Sequence, residues 1–248
     1  MCEPQGVADG TDTICEFAGI DYRGEVLRQF LALLMVVLPA SMRRRVARMR
    51  GWDIAPTAYI GRSIIMVGHV SMGPGAVIGS WNVIRDLDEL RLGAGASIAT
   101  RNSISAPVLS EEFFTLSPGR RSALILGDHA MITVGHEIDC SDRVELGDYA
   151  SFAGFRSQIL THSLDLVRDR FVTGPVEIGD RSAVMSGCLL LSGTRVPRRC
   201  IVSAGSVVTT KLANELTFYR GNPAQAVRSL PENLRFFRRG DADAERTA

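Results

Sequence analysis

The chain has 248 residues, a formal net charge of +1, and 46% hydrophobic against 6% aromatic residues. A charge this close to neutral argues against a broad electrostatic footprint for nucleic acid, and the length suffices for one elongated domain with appendages. The five cysteines, Cys2, Cys15, Cys140, Cys188 and Cys200, form neither a C-x-x-C pair nor an even framework, so a reducing compartment is expected. Met1 to Gly10 carries no basic region followed by an apolar run, which gives no sign of a secretory signal and leads to the expectation of a cytoplasmic protein.

Residues 1–53 read as a polar arm followed by an apolar and basic helical segment. From Glu25 to Leu38 the pattern is that of a helix apolar over most of its circumference and stopped near Pro39. Arg43, Arg44, Arg45, Arg48 and Arg50 follow on a second, basic helix. The apolar run is about half of the roughly twenty residues that span a bilayer. Two roles stay open: the helices cap the unpaired first coil of a solenoid, or they seat the protein peripherally on an anionic membrane, at its inner face.

Over 54–212 the apolar residues recur every sixth position. The series runs Ile60, Met66, Met72, Ile78, Ile84 and Leu90, then Leu92, Ile98 and Ile104, then Leu126, Ile132, Ile138 and Val144. It resumes with Leu146, Phe152 and Gln158 and ends unbroken in Ile178, Val184, Leu190, Val196, Val202 and Val208. A period of six is neither helical nor that of a flat strand. It fits a chain that turns a corner after each short strand, three hexads closing one triangular coil, so that stacked coils share one core. Register is lost near 107–122, a stretch assigned no chemistry. Leu126-Gly127-Asp128, Leu146-Gly147-Asp148 and Ile178-Gly179-Asp180 mark one repeated corner, and the wider second interval leaves Leu164 to Gly174 as a projecting loop with His162 at its root. Residues 213–248 form a short C-terminal extension and tail.

Ile178-Gly179-Asp180, Ser203-Ala204-Gly205-Ser206-Val207-Val208-Thr209, Gly221-Asn222-Pro223-Ala224 and Thr161-His162-Ser163 together resemble the hexapeptide-repeat acyltransferases, which include galactoside, maltose and exopolysaccharide O-acetyltransferases. The resemblance covers most of the chain after about Ile54. It implies an all-β solenoid, a left-handed parallel β-helix, and a homotrimer with sites between subunits. It also implies acetyl-coenzyme A as co-substrate, no metal, and a small-molecule or glycan acceptor.

His162 matches the family's catalytic histidine, and a histidine near its intrinsic pKa can take a proton from a hydroxyl at neutral pH. Asp165 or a backbone carbonyl is expected to orient its ring. The resemblance assigns Ala204, Gly205 and Thr209 to the pantetheine groove and Arg228 to the coenzyme A phosphates, to which arginine is suited. Asp139 and His136, one coil before His162, are candidates for holding the acceptor, with Asp139 equally readable as a corner aspartate bonding its own turn. Arg156, Asp169 and Arg170 are further candidate sugar contacts. The sequence departs from the family in carrying Ala183 for a tryptophan, Ser192 for a proline, and Thr210 for a lysine, with Lys211 one step on.

The leading expectation is an O-acetyltransferase acting on a saccharide hydroxyl of a glycan or exopolysaccharide precursor by direct attack, a backbone N–H stabilising the oxyanion. An amine, amino acid or antibiotic acceptor is the alternative within that chemistry. A γ-type carbonic anhydrase needs three convergent histidines, two of them closely spaced. His69, His129, His136 and His162 do not supply that pattern. A non-catalytic scaffold is the remaining class.

Overall fold

The structure is a computed structural model that describes residues 22–107, 114 and 116–240. Among these, the strands form three long parallel sheets, two of seven strands and one of nine, the last two strands of which make a terminal hairpin. Each strand pairs with the equivalent strand one coil later, as in Ile54 with Met72, Met72 with Leu92, Leu92 with Leu126, Leu126 with Leu146, Leu146 with Ile178, and Ile178 with Val196. Excursions of any length are therefore tolerated between coils without disturbing the stack. That explains how the register survives the two wide intervals.

The inward positions form columns of fully buried aliphatics, among them Ile78, Ile98, Ile132 and Val184 on one face and Ile84, Ile104, Leu190 and Val208 on another. Two positions of the six-residue series differ from expectation. Ile65, not Met66, points into the core, and Ile159, not Gln158, does so on the face that leads directly into the His162 corner. In the second case the strand Ser151–Phe155 carries a register irregularity against Met131–Val134, which shifts the chain by one residue and turns Gln158 outward. Its amide then donates to Glu137 on the surface (2.7 Å).

Corners are held by side-chain ladders. Asp128 accepts the Ala94 N–H (2.7 Å), Asp148 that of Asp128 (2.8 Å), and Asp180 that of Asp148 (3.0 Å). A Cβ at Gly147 would stand 2.1 Å from the Asp180 carboxylate, so the Gly-Asp pairing at this corner is a steric requirement of the stacked coils. A second ladder is buried. Ser63 accepts from the Asn82 backbone, Asn82 from that of Asn102, Asn102 from that of His136, and the His136 ring from that of Ser157.

At the N-terminal end, α1 (Tyr22–Val37) lies against the strand Ile64–Met66, and α2 (Ala40–Met49) against Tyr59–Ile60 and Asp53–Ile54. Ala32, Met35 and Ala47 are buried. The arginines of α2 donate to carbonyls of the open coil, Arg43 to Ile60 (2.7 Å), Arg48 twice to Ile54 (3.1 and 2.8 Å) and Arg44 to Pro56, and Arg43 also bonds Leu38 between the helices (2.8 Å). This is a cap, and the arginines that a membrane-seating role needs are largely committed to it. No helix among the described residues is long and apolar enough to cross a membrane. Arg43 is buried and bridges two elements, so Arg43→Ala strands the Ile60 carbonyl. It is expected to cost about 3 kcal/mol, read as a lower urea midpoint at unchanged slope.

The C-terminal extension also packs back on the solenoid. The hairpin of Thr217–Arg220 and Gln225–Ser229 adds to the strand Ile201–Val202, and beyond it Arg239 donates to the Tyr149 carbonyl (2.6 Å) while Arg181 donates to those of Phe237 and Arg239 (2.6 and 2.9 Å).

Candidate active site

The site forms where the chain leaves the face built from Glu137–Asp139, Gln158–Ile159, Leu189–Leu190 and Val207–Val208. Instead of turning directly onto the next face, the chain after Ile159 enters an antiparallel hairpin, His162–Asp165 with Arg170–Thr173. The projecting loop expected from Leu164 is thus an ordered hairpin that begins at His162 itself. It returns at Gly174, whose N–H donates to the Thr161 carbonyl (2.9 Å).

One coil earlier, Asp139 ends its strand and aims its carboxylate at this corner. Oδ2 accepts from His162 Nδ1 (2.8 Å), from the Thr161 N–H and hydroxyl (2.8 and 3.0 Å), and from the His162 N–H (3.2 Å). Oδ1 accepts from the Ser141 N–H (3.0 Å) and hydroxyl (2.6 Å), and Ser141 Oγ lies 3.1 Å from the same imidazole nitrogen. Burial alone would push the Asp139 carboxyl up, but the His162 and Ser141 hydrogen bonds, the imidazolium charge and the Thr161 N–H outweigh it and lower it to about 2. The hydrogen bond to Asp139 in turn raises His162 above the ordinary imidazole value of 6.5, against partial burial. Nδ1 is held as donor to a fixed carboxylate, which leaves Nε2 to receive a proton.

These contacts correct the expected role of two carboxylates. Asp165 does not orient the ring; it sits in the hairpin turn, accepting the Val167 and Arg168 N–H groups (3.0 and 3.1 Å) and pairing with the Arg168 guanidinium (2.7 Å). Asp139 takes the orienting position, with both oxygens engaged by its own corner and by His162. It is a contact to His162, with no lone pair left to face an acceptor.

His136 is also placed differently from expectation. It is fully buried, its Nδ1 accepts from the Ser157 N–H (3.2 Å), and its Nε2 lies 3.0 Å from the Thr133 hydroxyl. Desolvation lowers its pKa to about 4 despite the Ser157 bond. It is a neutral rung of the interior ladder and presents no atom to a substrate.

Of the expected donor residues, Arg228 lies on the neighbouring nine-stranded sheet, and Ala204, Gly205 and Thr209 flank the strand Val207–Val208 of the face that leads to His162. Thr209 leaves that face at the same corner, two coils beyond, exposed at the surface. Ala204 and Gly205 are exposed at the opposite edge of the face, where the Gly205 backbone has a φ of 72° that favours glycine. Arg228 is exposed on the terminal hairpin with its guanidinium 5.4 Å from the Phe218 ring centre. Arg156, Asp169 and Arg170 are exposed, and Arg156 lines a recess of about 260 Å³ with Gly135, Glu137, Ser157 and Gln158. Of the three departures, Ala183 is buried in the core, while Ser192 reaches the site: its hydroxyl donates to the Thr161 carbonyl (3.1 Å).

Sequence reasoning missed one wall. Residues 116–120 return from the excursion directly to the hairpin: the Thr173 N–H donates to Ser117 Oγ (2.8 Å), and Arg120 donates to the Ser141 carbonyl (3.1 Å). Arg120 lies over the Phe114 ring (4.4 Å), Phe114 packs on Phe171 (6.4 Å between ring centres), and Phe171 meets His162 edge-on (6.2 Å). Residues 108–113 and 115 of the excursion lie outside the described residues. No group of three or more His, Cys, Asp or Glu side chains among the described residues is arranged to hold a metal ion.

Three parallel faces, hexad columns and this corner define a left-handed parallel β-helix, the fold of the hexapeptide-repeat acetyltransferases. In particular, the chain is similar to a hexapeptide-repeat acetyltransferase of Vibrio cholerae, at 17% identity and a TM-score of 0.50 over 86% of this chain and 95% of that one. A second structure of that kind from Vibrio cholerae, in complex with acetyl coenzyme A, matches at 18% identity and a TM-score of 0.46, over 87% and 93% of the two chains. By sequence, it is 23% identical over 180 residues to a probable acetyltransferase of Mycobacterium tuberculosis. That match covers 73% of this chain and 56% of the relative, so the chain spans little more than half the relative's length. No family model matches the chain.

Proposed function

We propose that the protein is an acetyl-coenzyme A-dependent O-acetyltransferase acting on a saccharide hydroxyl, with His162 as general base. The observation that carries this reading is the 2.8 Å contact between Asp139 Oδ2 and His162 Nδ1 at a corner shared with Thr209. The shared fold and the acetyltransferase relative support it. Nε2 of His162 takes the proton of the acceptor hydroxyl as that oxygen attacks the thioester carbonyl. The tetrahedral intermediate then collapses, the C–S bond breaks, and the coenzyme A thiolate leaves with the proton returned by the imidazolium. Asp139 stays ionised throughout and stabilises the transient cation. No covalent enzyme intermediate is required.

Ala204, Gly205, Thr209 and Arg228 are the residues we assign to the coenzyme A groove, and we assign a homotrimer as the working assembly. A hydroxyl is favoured over an amine because a base of raised pKa beside a fixed carboxylate is suited to removing a proton that the attacking atom must lose at the moment of attack. The test is the product. Acetylated acceptor isolated from the reaction is expected to lose its acetyl group to hydroxylamine, as an ester does. An acetyl group that resists this treatment is an amide and would move the reading to N-acetyl transfer.

A further inference from the structure

We infer that Arg120 selects an acceptor carrying an anionic group, a phosphate or a carboxylate, beside the hydroxyl that is acetylated. This rests on the reading of His162 as the base. Arg120 stands two hydrogen bonds from that base, through the Ser141 carbonyl it bonds at 3.1 Å and the Ser141 hydroxyl 3.1 Å from His162 Nδ1. Its guanidinium carbon lies 4.4 Å from the Phe114 ring centre, and the aromatic contacts continue through Phe171 to the imidazole. The excursion and the hairpin come from different coils, and they are fastened together here through Ser117 and Thr173. The cation is thus part of an ordered wall.

Arg120 differs from three other arginines near the site in having no counter-charge among the described residues. Arg121 beside it is paired with Glu89, Arg143 with Glu145 and Glu177 (3.3 and 3.2 Å), and Arg168 with Asp165 (2.7 Å). Arg120 has no carboxylate partner among the described residues, and Asp139 and Asp142, on either side of Ser141, are already committed. Both Asp139 oxygens are engaged at the site corner, and Asp142 accepts from the Thr173 hydroxyl (2.9 Å) and the Arg143 N–H (2.7 Å). One hydrogen bond to a carbonyl leaves most of the guanidinium's N–H donors for a ligand. The planar fork matches a phosphate or carboxylate in two-point contact.

Calorimetric titration of glucose, glucose 6-phosphate and glucuronate tests this, in an Arg228→Ala background so that the donor-side arginine contributes nothing. Both anionic sugars are expected to bind at least tenfold tighter than glucose, with the stronger of the two naming the group. Arg120→Gln keeps a donor for the Ser141 carbonyl and is expected to erase that preference while leaving glucose binding unchanged; Arg120→Lys is expected to retain part of it. Equal binding of all three sugars, or a preference that survives Arg120→Gln, overturns the inference. The titration does not depend on turnover. An anionic preference that Arg120→Gln erases, in a protein that transfers no acetyl group, would therefore sink the proposed reaction and leave the anion site standing.

Discussion

Asp139→Asn is expected to lower kcat by about ten- to a hundredfold and, at the same time, to move the acid limb of the pH profile downward. The first effect follows from the loss of one charge-assisted hydrogen bond to the transient imidazolium, worth about 1.5–3 kcal/mol. The second has its own sign. His162 acts as a base only when neutral, so the rate rises with pH through its pKa, which Asp139 holds above 6.5. Removing the negative charge lets that pKa fall, so a larger fraction of His162 is neutral at pH 6 even as each neutral ring becomes a poorer base. An asparagine also leaves a donor facing the Ser141 N–H, which currently bonds Oδ1 at 3.0 Å. Stability is expected to drop by about 1–3 kcal/mol for that unsatisfied group. A structural role alone would give the stability loss without the shifted limb, so a pH–rate profile of the folded variant separates the two.

His162→Ala removes the proton acceptor altogether and is expected to reduce kcat by about 10²–10⁴-fold, the range that general-base catalysis supplies. The half-buried ring packs only its edge against Phe171, and its loss leaves the Asp139 carboxylate bonded by the Thr161 and Ser141 groups. The corner should therefore persist, and coenzyme A affinity should stay within about twofold, since the residues proposed to hold coenzyme A lie on later coils. Stopped-turnover kinetics with a coenzyme A titration measures both. A matched loss of donor binding would show that the histidine holds the corner together instead of doing chemistry.

The coil architecture was legible because each coil repeats the same steric problem. A branched side chain must fill each inward slot and a Gly-Asp must pass under the previous coil's corner, so Leu126, Leu146 and Ile178 announce themselves by spacing alone. The inward positions at Ile65 and Ile159 were missed because one residue fewer after Ile60, or one more after Phe152, is invisible to a six-residue period but moves the inward position by one. The place of His162 at the root of a projecting segment was legible from its position before a wide interval. Its partner was not, because Asp139 and His162 are brought together by stacking of coils, and sequence proximity pointed to Asp165. The same blindness applied to His136, whose role as a rung depends on Asn102 below and Ser157 above. Arg120 and Phe114 lie in the stretch where periodicity fails, and only the hairpin that receives them reveals why that stretch is there. The arginines of α2 show the converse case: their composition fitted a membrane surface, and only the stacked structure reveals their bonds to the first-coil carbonyls of Ile54, Pro56 and Ile60.

The measurement that tests this account most directly is acceptor-dependent thiol release from acetyl-coenzyme A, run on the wild type and His162→Ala together against neutral sugars, anionic sugars and amines. The account predicts release with a hydroxyl acceptor in the wild type, strongest with an anionic sugar, and its near-complete loss in the variant. Release that is equal in both proteins, or no release and no coenzyme A binding in either, would contradict it.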